Sequence, residues 1–212
     1  MMAPVARFIT LEGGEGAGKS TQARRLAAAL RAAGLDVVET REPGGSPGAE
    51  EIRRLLTTGE PARWSPMAET LLHFAARSDH LRRTIRPALN AGRWVCCDRF
   101  ADSTMAYQGY GHGIDRDFID SLASAVLGDL RPDLTLVFDL PVEQGLARAA
   151  ARAGHEDRYE KMDRNFHDAL RQGYLDISAR NPERCVVIDA SGDEAATWRR
   201  VSTAVRDRFR VI

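Results

Sequence analysis

Eight residues near the start of the chain, Gly13-Gly14-Glu15-Gly16-Ala17-Gly18-Lys19-Ser20, restrict its fold more than any other segment. They fit the pattern G-x-x-x-x-G-K-[ST], in which every fixed position has a physical reason. Glycines let the backbone turn without a Cβ, so that successive N–H groups converge on phosphate oxygens at a helix N-terminus. The lysine reaches the β- and γ-phosphates, and the hydroxyl after it ligates Mg²⁺. The segment, extended to Thr21, is therefore read as a site for a nucleoside triphosphate, ATP with Mg²⁺. Its flanks agree, because an apolar run at 8–11 precedes it and apolar positions at helical spacing follow over 19–33, with Gly34 as a C-terminal stop.

Strand, turn and helix then recur. Apolar runs at 37–40, 94–97, 134–138 and 186–188 alternate with amphipathic stretches. That order predicts an α/β architecture of the P-loop NTPase type, a five-stranded parallel sheet flanked by helices. The length of 212 residues suits a single domain over 1–212. An arginine-rich stretch, about 148–164, reads as a small lid or as a solvated helix end. Ligands of such sheets bind beyond the carboxyl ends of the strands, where the chain places its Gly, Pro and charge clusters.

Thirty basic and thirty acidic residues cancel, so the chain lacks the positive field of a non-specific nucleic-acid binder. Cys96, Cys97 and Cys185 lack C-x-x-C spacing and read as small hydrophobes in strands, with no disulfide framework or zinc site. No stretch approaches the ~18 uninterrupted apolar residues of a membrane span. No positive n-region opens the sequence, and a cytoplasmic protein is expected. Only Lys19 and Lys161 among the basic residues are lysines; the other twenty-eight are arginines. Lys19 is thus a chemical requirement of its loop and not the default cation of this chain.

The acceptor of the phosphoryl group must be sought elsewhere. After the strand at 94–97 comes Asp98-Arg99-Phe100-Ala101-Asp102-Ser103-Thr104-Met105-Ala106-Tyr107-Gln108, too rich in polar groups to be only a turn. Asp98 can join Ser20 around Mg²⁺, through water, and Arg99 can span two phosphates. This run resembles the signature of the thymidylate kinases, in the bacterial type with lid arginines. Thr40-Arg41-Glu42-Pro43-Gly44-Gly45, Phe74-Ala75-Ala76-Arg77, Arg131-Pro132-Asp133-Leu134 and Asp157-Arg158-Tyr159-Glu160 follow the same family order. The resemblance implies transfer of the γ-phosphoryl group of MgATP to dTMP, giving ADP and dTDP for dTTP biosynthesis. The alternatives are another nucleoside monophosphate kinase and, from a different class, a GTP-binding switch. Such switches carry N-K-x-D, whereas Lys161 lies in Glu160-Lys161-Met162-Asp163.

Residue by residue, the resemblance implies that Glu15 accepts the 3′-hydroxyl of the acceptor nucleotide and that Arg99 bridges donor and acceptor phosphates. Arg41, Glu42 and Arg53 correspond to residues that line the dTMP phosphate and its metal and water shell. Arg77 corresponds to the arginine that hydrogen-bonds thymine O4. Four residues before it the family has a stacking aromatic ring, and here stands His73, with Phe74 next to it. Either His73 lies on the base, or it is a structural histidine with Phe74 in the core. Ser103, Thr104, Tyr107 and Gln108 match members that contact thymine and crowd the sugar 2′ position. Some members carry a catalytic arginine directly after the acidic loop residue. Here that place is Gly16, so with Lys19, Arg99 and Glu15 in the loop region the mobile cation is expected from the lid, at Arg152, then Arg158, then Arg148. His112, in the glycine-rich turn at 109–113, reads as surface-exposed. Helical stretches at 64–89 and 114–127 carry surplus apolar positions where family members pair, which implies a homodimer.

Overall fold

The central apolar runs become strands because each has two cores to face. A computed structural model describes residues 5–151 and 158–212. Its sheet consists of β1 (Phe8–Gly13), β2 (Val37–Arg41), β3 (Trp94–Asp98), β4 (Leu134–Asp139) and β5 (Cys185–Asp189). All neighbours pair in parallel, in the order β2-β3-β1-β4-β5. Along β1, Ile9 and Leu11 face one core while Phe8 faces the other. In β3, Trp94 and Cys96 oppose Val95 and Cys97 in the same way. A strand buried on both faces has no polar side, which is why these segments read as continuous apolar runs.

One face is covered by α1 (Lys19–Ala32) and α9 (Glu194–Phe209), through Leu26, Leu30, Val201 and Val205. α2 (Pro47–Thr57) packs on α3 (Pro66–His80), which continues into a π-helical turn, Leu81–Ile85, and then α4 (Arg86–Asn90). That continuation and α6 (Arg116–Leu127) cover the other face near β3, through Leu81, Ile85, Ala88 and Leu127. The π turn has a local cause. Pro87 has no N–H to give and would crowd the carbonyl four residues back, and the widened turn lets Arg86 N bond Leu81 O instead. Near β4 the same face is closed by α8 (Arg164–Arg180) and by α5 (Ala101–Thr104) with its π-helical extension, Met105–Gly111. α7 (Val142–Ala150) follows β4 and packs against the glycine loop.

β1 is the central strand, and its register sets Leu11 level with Asp98 and Gly13 level with Phe138. The glycine loop, the turn after β3 and the start of α7 therefore open at one end of the sheet. Cys96, Cys97 and Cys185 are free and buried in strands. Burial pushes the Cys96 thiol up to about 12, so it stays protonated and inert. No helix among the described residues is long and apolar enough to cross a membrane.

Candidate active site

The loop between β1 and α1 folds as its glycines allow. Gly16 (φ +67°) and Gly18 (φ +87°) adopt left-handed backbone, and a Cβ on Gly16 would stand 1.9 Å from the Gly145 carbonyl oxygen of α7. The loop thus has no room for an arginine at position 16. Lys19 is buried and its ammonium donates to the Gly14 carbonyl at 2.6 Å, across the loop mouth. Burial and the neighbouring Arg99 charge pull it down to about 8, against Glu15, Asp98 and Glu12.

Ser20 Oγ donates to Asp98 Oδ2, while Asp98 Oδ1 is buried without a partner among the described residues. A hydroxyl beside an unsatisfied carboxylate oxygen is a pair of hard donors that suits Mg²⁺. Among the described residues no group of three or more His, Cys, Asp or Glu could hold a metal. The pair therefore fits a cation held mainly by phosphates and water, as Mg²⁺ ordinarily is.

Arg99 stands at the turn after β3 with φ +68°, a left-handed backbone that a non-glycine residue seldom takes. Its Nη1 donates to Gly13 O at 2.9 Å and reaches Tyr174 Oη at 3.3 Å, and its Nη2 donates to Glu15 Oε1 at 3.0 Å. The guanidinium lies 5.1 Å from the Tyr107 ring centroid, and the Tyr107 hydroxyl donates to Glu15. Burial alone would raise the Glu15 carboxyl, but Arg99, Lys19 and the Tyr107 hydroxyl bring it down to about 2. It is an ionised acceptor at any physiological pH.

From this loop a cavity of about 920 Å³ runs to α3, a volume that holds more than one small ligand group. Glu15 to Ser20 line it at one end, with Arg41, Glu42, Arg53, Asp98, Arg99, Ser103, Thr104, Tyr107, Gln108, His73 and Arg77. Gly13, Gly14 and Thr21 support the loop without forming that wall. Arg41 pairs with Glu50 at 3.1 Å, and Arg53 donates to Pro43 O at 2.7 Å.

Arg77 is buried, with Nε on Glu42 Oε2 at 2.7 Å and Nη2 on Phe100 O and Thr104 Oγ1 at 2.9 and 3.0 Å. Its Nη1 has no partner among the described residues. Phe74 lies outside the cavity wall, buried beneath the Arg77 guanidinium at 5.1 Å from ring centroid to Cζ. His73 does line the cavity, and its Nε2 is 2.9 Å from Tyr159 Oη. Burial pushes His73 down to about 4, so its ring is neutral. Glu42 also lines the cavity, and it braces Arg77: its Oε2 accepts from Arg77 Nε and its Oε1 lies 2.9 Å from His80 Nδ1.

The lid residues separate. Arg158, expected as a mobile cation, is buried: its guanidinium donates to Leu56 O, Glu60 O and Pro61 O at 3.2, 3.2 and 2.7 Å and forms an ion pair with Glu69. Arg148 donates to Ala190 O at 3.0 Å on the loop before α9. Arg152 lies outside the described residues. His112 is not the exposed loop residue that was expected. It packs on Phe166 with ring centroids 4.8 Å apart and stands 3.3 Å from Glu69.

Sequence reasoning missed four supporting groups. Glu12, at the end of β1, accepts from Phe100 N at 2.8 Å and Ser103 Oγ at 2.5 Å. Tyr174 on α8 is 2.8 Å from the same Ser103 Oγ. His80 and Glu69 hold Glu42 and Gln108. Only Glu12 left a signal, an acid between an apolar run and a glycine cluster.

A sequence profile described as thymidylate kinase matches residues 11–200. The chain is 57% identical over 202 residues to the thymidylate kinase of Caulobacter vibrioides, covering 95% of this chain and 97% of that one. It is 53% identical over 205 residues to the thymidylate kinase of Bradyrhizobium diazoefficiens, covering 96% and 90%. The crystal structure of thymidylate kinase from Ehrlichia chaffeensis superposes with a TM-score of 0.76 at 36% identity, covering 95% of this chain and 99% of that one.

Burial, with the Asp102 charge beside it, pushes the Glu12 carboxyl up to about 7 despite its hydrogen bonds. In the unfolded chain it titrates near the ordinary 4.5. The fold therefore holds this proton more tightly, and the stability it lends is full below the unfolded value and lost as pH rises through the folded one. Urea denaturation from about pH 5 to about pH 8 should show the wild type losing up to a few kcal/mol relative to Glu12→Gln. A difference independent of pH would refute the shift.

Proposed function

The chain belongs to the thymidylate kinase family, and from that premise we propose how its own residues carry the family's reaction. The enzyme transfers the γ-phosphoryl group of ATP to dTMP, giving ADP and dTDP. Another monophosphate specificity and a GTP switch are set aside with that membership. The observation that carries the assignment of the acceptor end is Arg77 Nη1, a buried donor without a partner in a cavity shared with the glycine loop. An unpaired donor held by three other hydrogen bonds suits a fixed carbonyl oxygen, the O4 of thymine.

In this arrangement ATP lies along the loop, its phosphates on the backbone N–H groups and Lys19. Glu15, ionised and fixed by Arg99 and Tyr107, takes the 3′-hydroxyl of dTMP. Arg41 and Arg53 face the acceptor phosphate, and His73 offers the ring for the base while Phe74 supports Arg77 from below. Ser103, Thr104 and Tyr107 close the sugar side. Phosphoryl transfer needs in-line placement and positive charge on the moving group. Lys19 and Arg99 supply that charge from the loop side. Ser20 and Asp98 would hold Mg²⁺, which when bound neutralises phosphate charge. Arg152 is proposed as the further cation. The three buried free thiols suit a reducing cytoplasm.

We also assign the homodimer contact to α3, where Met67 and Leu71 are 42% and 48% exposed one turn apart on one face. Sedimentation should give a dimer for the wild type and a monomer for Leu71→Glu; a wild-type monomer would overturn this.

Steady-state turnover on dTMP, AMP, GMP, CMP and UMP should favour dTMP, and a better acceptor among the others would defeat the reading. Arg77→Ala should raise the KM for dTMP at least about tenfold and leave that for ATP nearly intact in the folded fraction. Equal loss for both nucleotides would place the base elsewhere. Arg152→Ala should lower kcat by about a thousandfold or more with little change in either KM; an unchanged kcat would move the role to Arg148.

A further inference from the structure

Gln108 presents only one free group to the cavity it lines. It is fully buried on the π-helical segment after α5, and its Nε2 donates to Glu69 Oε1 at 2.7 Å. Its Oε1 is buried with no partner among the described residues. The amide direction is not free to reverse, because an ionised carboxylate can only accept and so demands the N–H side of the amide. Glu69 is held in that ionised state. Burial would raise its carboxyl, but His112, 3.3 Å away, and the Arg158 guanidinium paired with it bring it down to about 2.

Two residues of one cavity lining therefore each carry an unpaired group, a donor at Arg77 Nη1 and an acceptor at Gln108 Oε1. We propose that Glu69 is a positioning residue for base selection: by taking the Gln108 amide N–H it turns the carbonyl oxygen of that side chain toward the N3–H of a 4-oxopyrimidine, directly or through one water. A 4-aminopyrimidine offers the opposite pattern. Its N3 is a bare acceptor facing Oε1, and its amino group is a donor facing Arg77. Each mismatch leaves a buried polar group unpaired, and such a penalty is how sites built on hydrogen bonds reject near-isosteres. The inference rests on the placement of the acceptor base against Arg77.

Glu69→Gln replaces the obligate acceptor by an amide that can either donate or accept, so the Gln108 amide is released to turn over. The ratio of kcat/KM for dTMP to that for dCMP should fall about tenfold or more, with the KM for ATP unchanged. Gln108→Met, which keeps length without the amide, should reduce the ratio as far, and Glu69→Gln added to Gln108→Met should reduce it no further. A folded Glu69→Gln enzyme with an unaltered ratio overturns the proposal. Should Glu69→Gln fail to fold for want of the Arg158 partner, Gln108→Met decides, and an unaltered ratio in it overturns the proposal equally. A base site lost at Arg77→Ala alongside unmoved ratios would leave the acceptor assignment standing and remove only the role of Glu69.

Discussion

The guanidinium of Arg99 joins three segments that are far apart in sequence: the end of β1 at Gly13, the glycine loop at Glu15, and α8 at Tyr174. The sheet makes this meeting unavoidable. Leu11 pairs in register with Asp98, and Arg99 N donates to Leu11 O at 2.9 Å, so the chain must turn directly beside the loop. A left-handed arginine costs about 1 kcal/mol or more. The hydrogen bonds it makes offset that cost, and they tie the turn after β3 to β1, the glycine loop and α8. Remove Arg99 and Glu15 keeps its burial while losing its nearest cation.

Three more acids around the site are matched with cations in the same manner, and the matching explains why this chain prefers arginine. Glu42 is braced by Arg77 and His80, Glu69 by Arg158 and His112, and Asp102, beside Glu12, by Arg184 at 2.6 and 3.0 Å. An arginine has five N–H donors in a fixed fork, so it can be pinned by the protein on one edge and offer another edge to a ligand. Arg77 does this, with Nε and Nη2 engaged and Nη1 left over. A lysine could not, since its single ammonium carries the whole charge at one point. The task we propose for Lys19 is the opposite, to follow phosphates from ground state to transition state, for which a flexible stem with one point charge is better suited.

The strands and the glycine loop were legible because they are local. Two-sided burial writes an apolar run, and a phosphate loop needs glycines and a lysine at fixed spacing. That Arg41, Arg77 and Tyr107 share one cavity was legible only through family resemblance, since nothing in their spacing says that they meet. What stayed hidden was long-range or backbone-level. Glu12, Glu69, His80 and Tyr174 act through partners up to 91 residues away, and no periodicity encodes such a pairing. The two π-helical turns were also invisible, because helical counting assumes 3.6 residues per turn. One of them, Met105–Gly111, carries Tyr107 and Gln108. His112 N bonds Tyr107 O there at 2.9 Å, five residues back, which draws His112 inward toward Glu69 when a surface turn would have left it outside.

The fate of Arg158 decides how the lid can work. A cation that acts on a moving phosphoryl group must be free to leave its resting contacts. Arg158 is buried on Glu69 and on three carbonyl oxygens near the end of α2, and withdrawing it would strand the Glu69 carboxylate, a change that costs about 3–5 kcal/mol for a broken buried pair. Its neighbour Tyr159 meanwhile reaches His73 in the acceptor wall. This end of the stretch is thus a fixed part of the cavity wall. Arg148 rests on neutral carbonyls near the surface, at about 1 kcal/mol per exchangeable hydrogen bond, and could leave more cheaply. With Gly16 closed to any side chain by Gly145 and Arg158 held, the mobile cation we propose is Arg152, in the stretch between these two arginines, with Arg148 as its substitute.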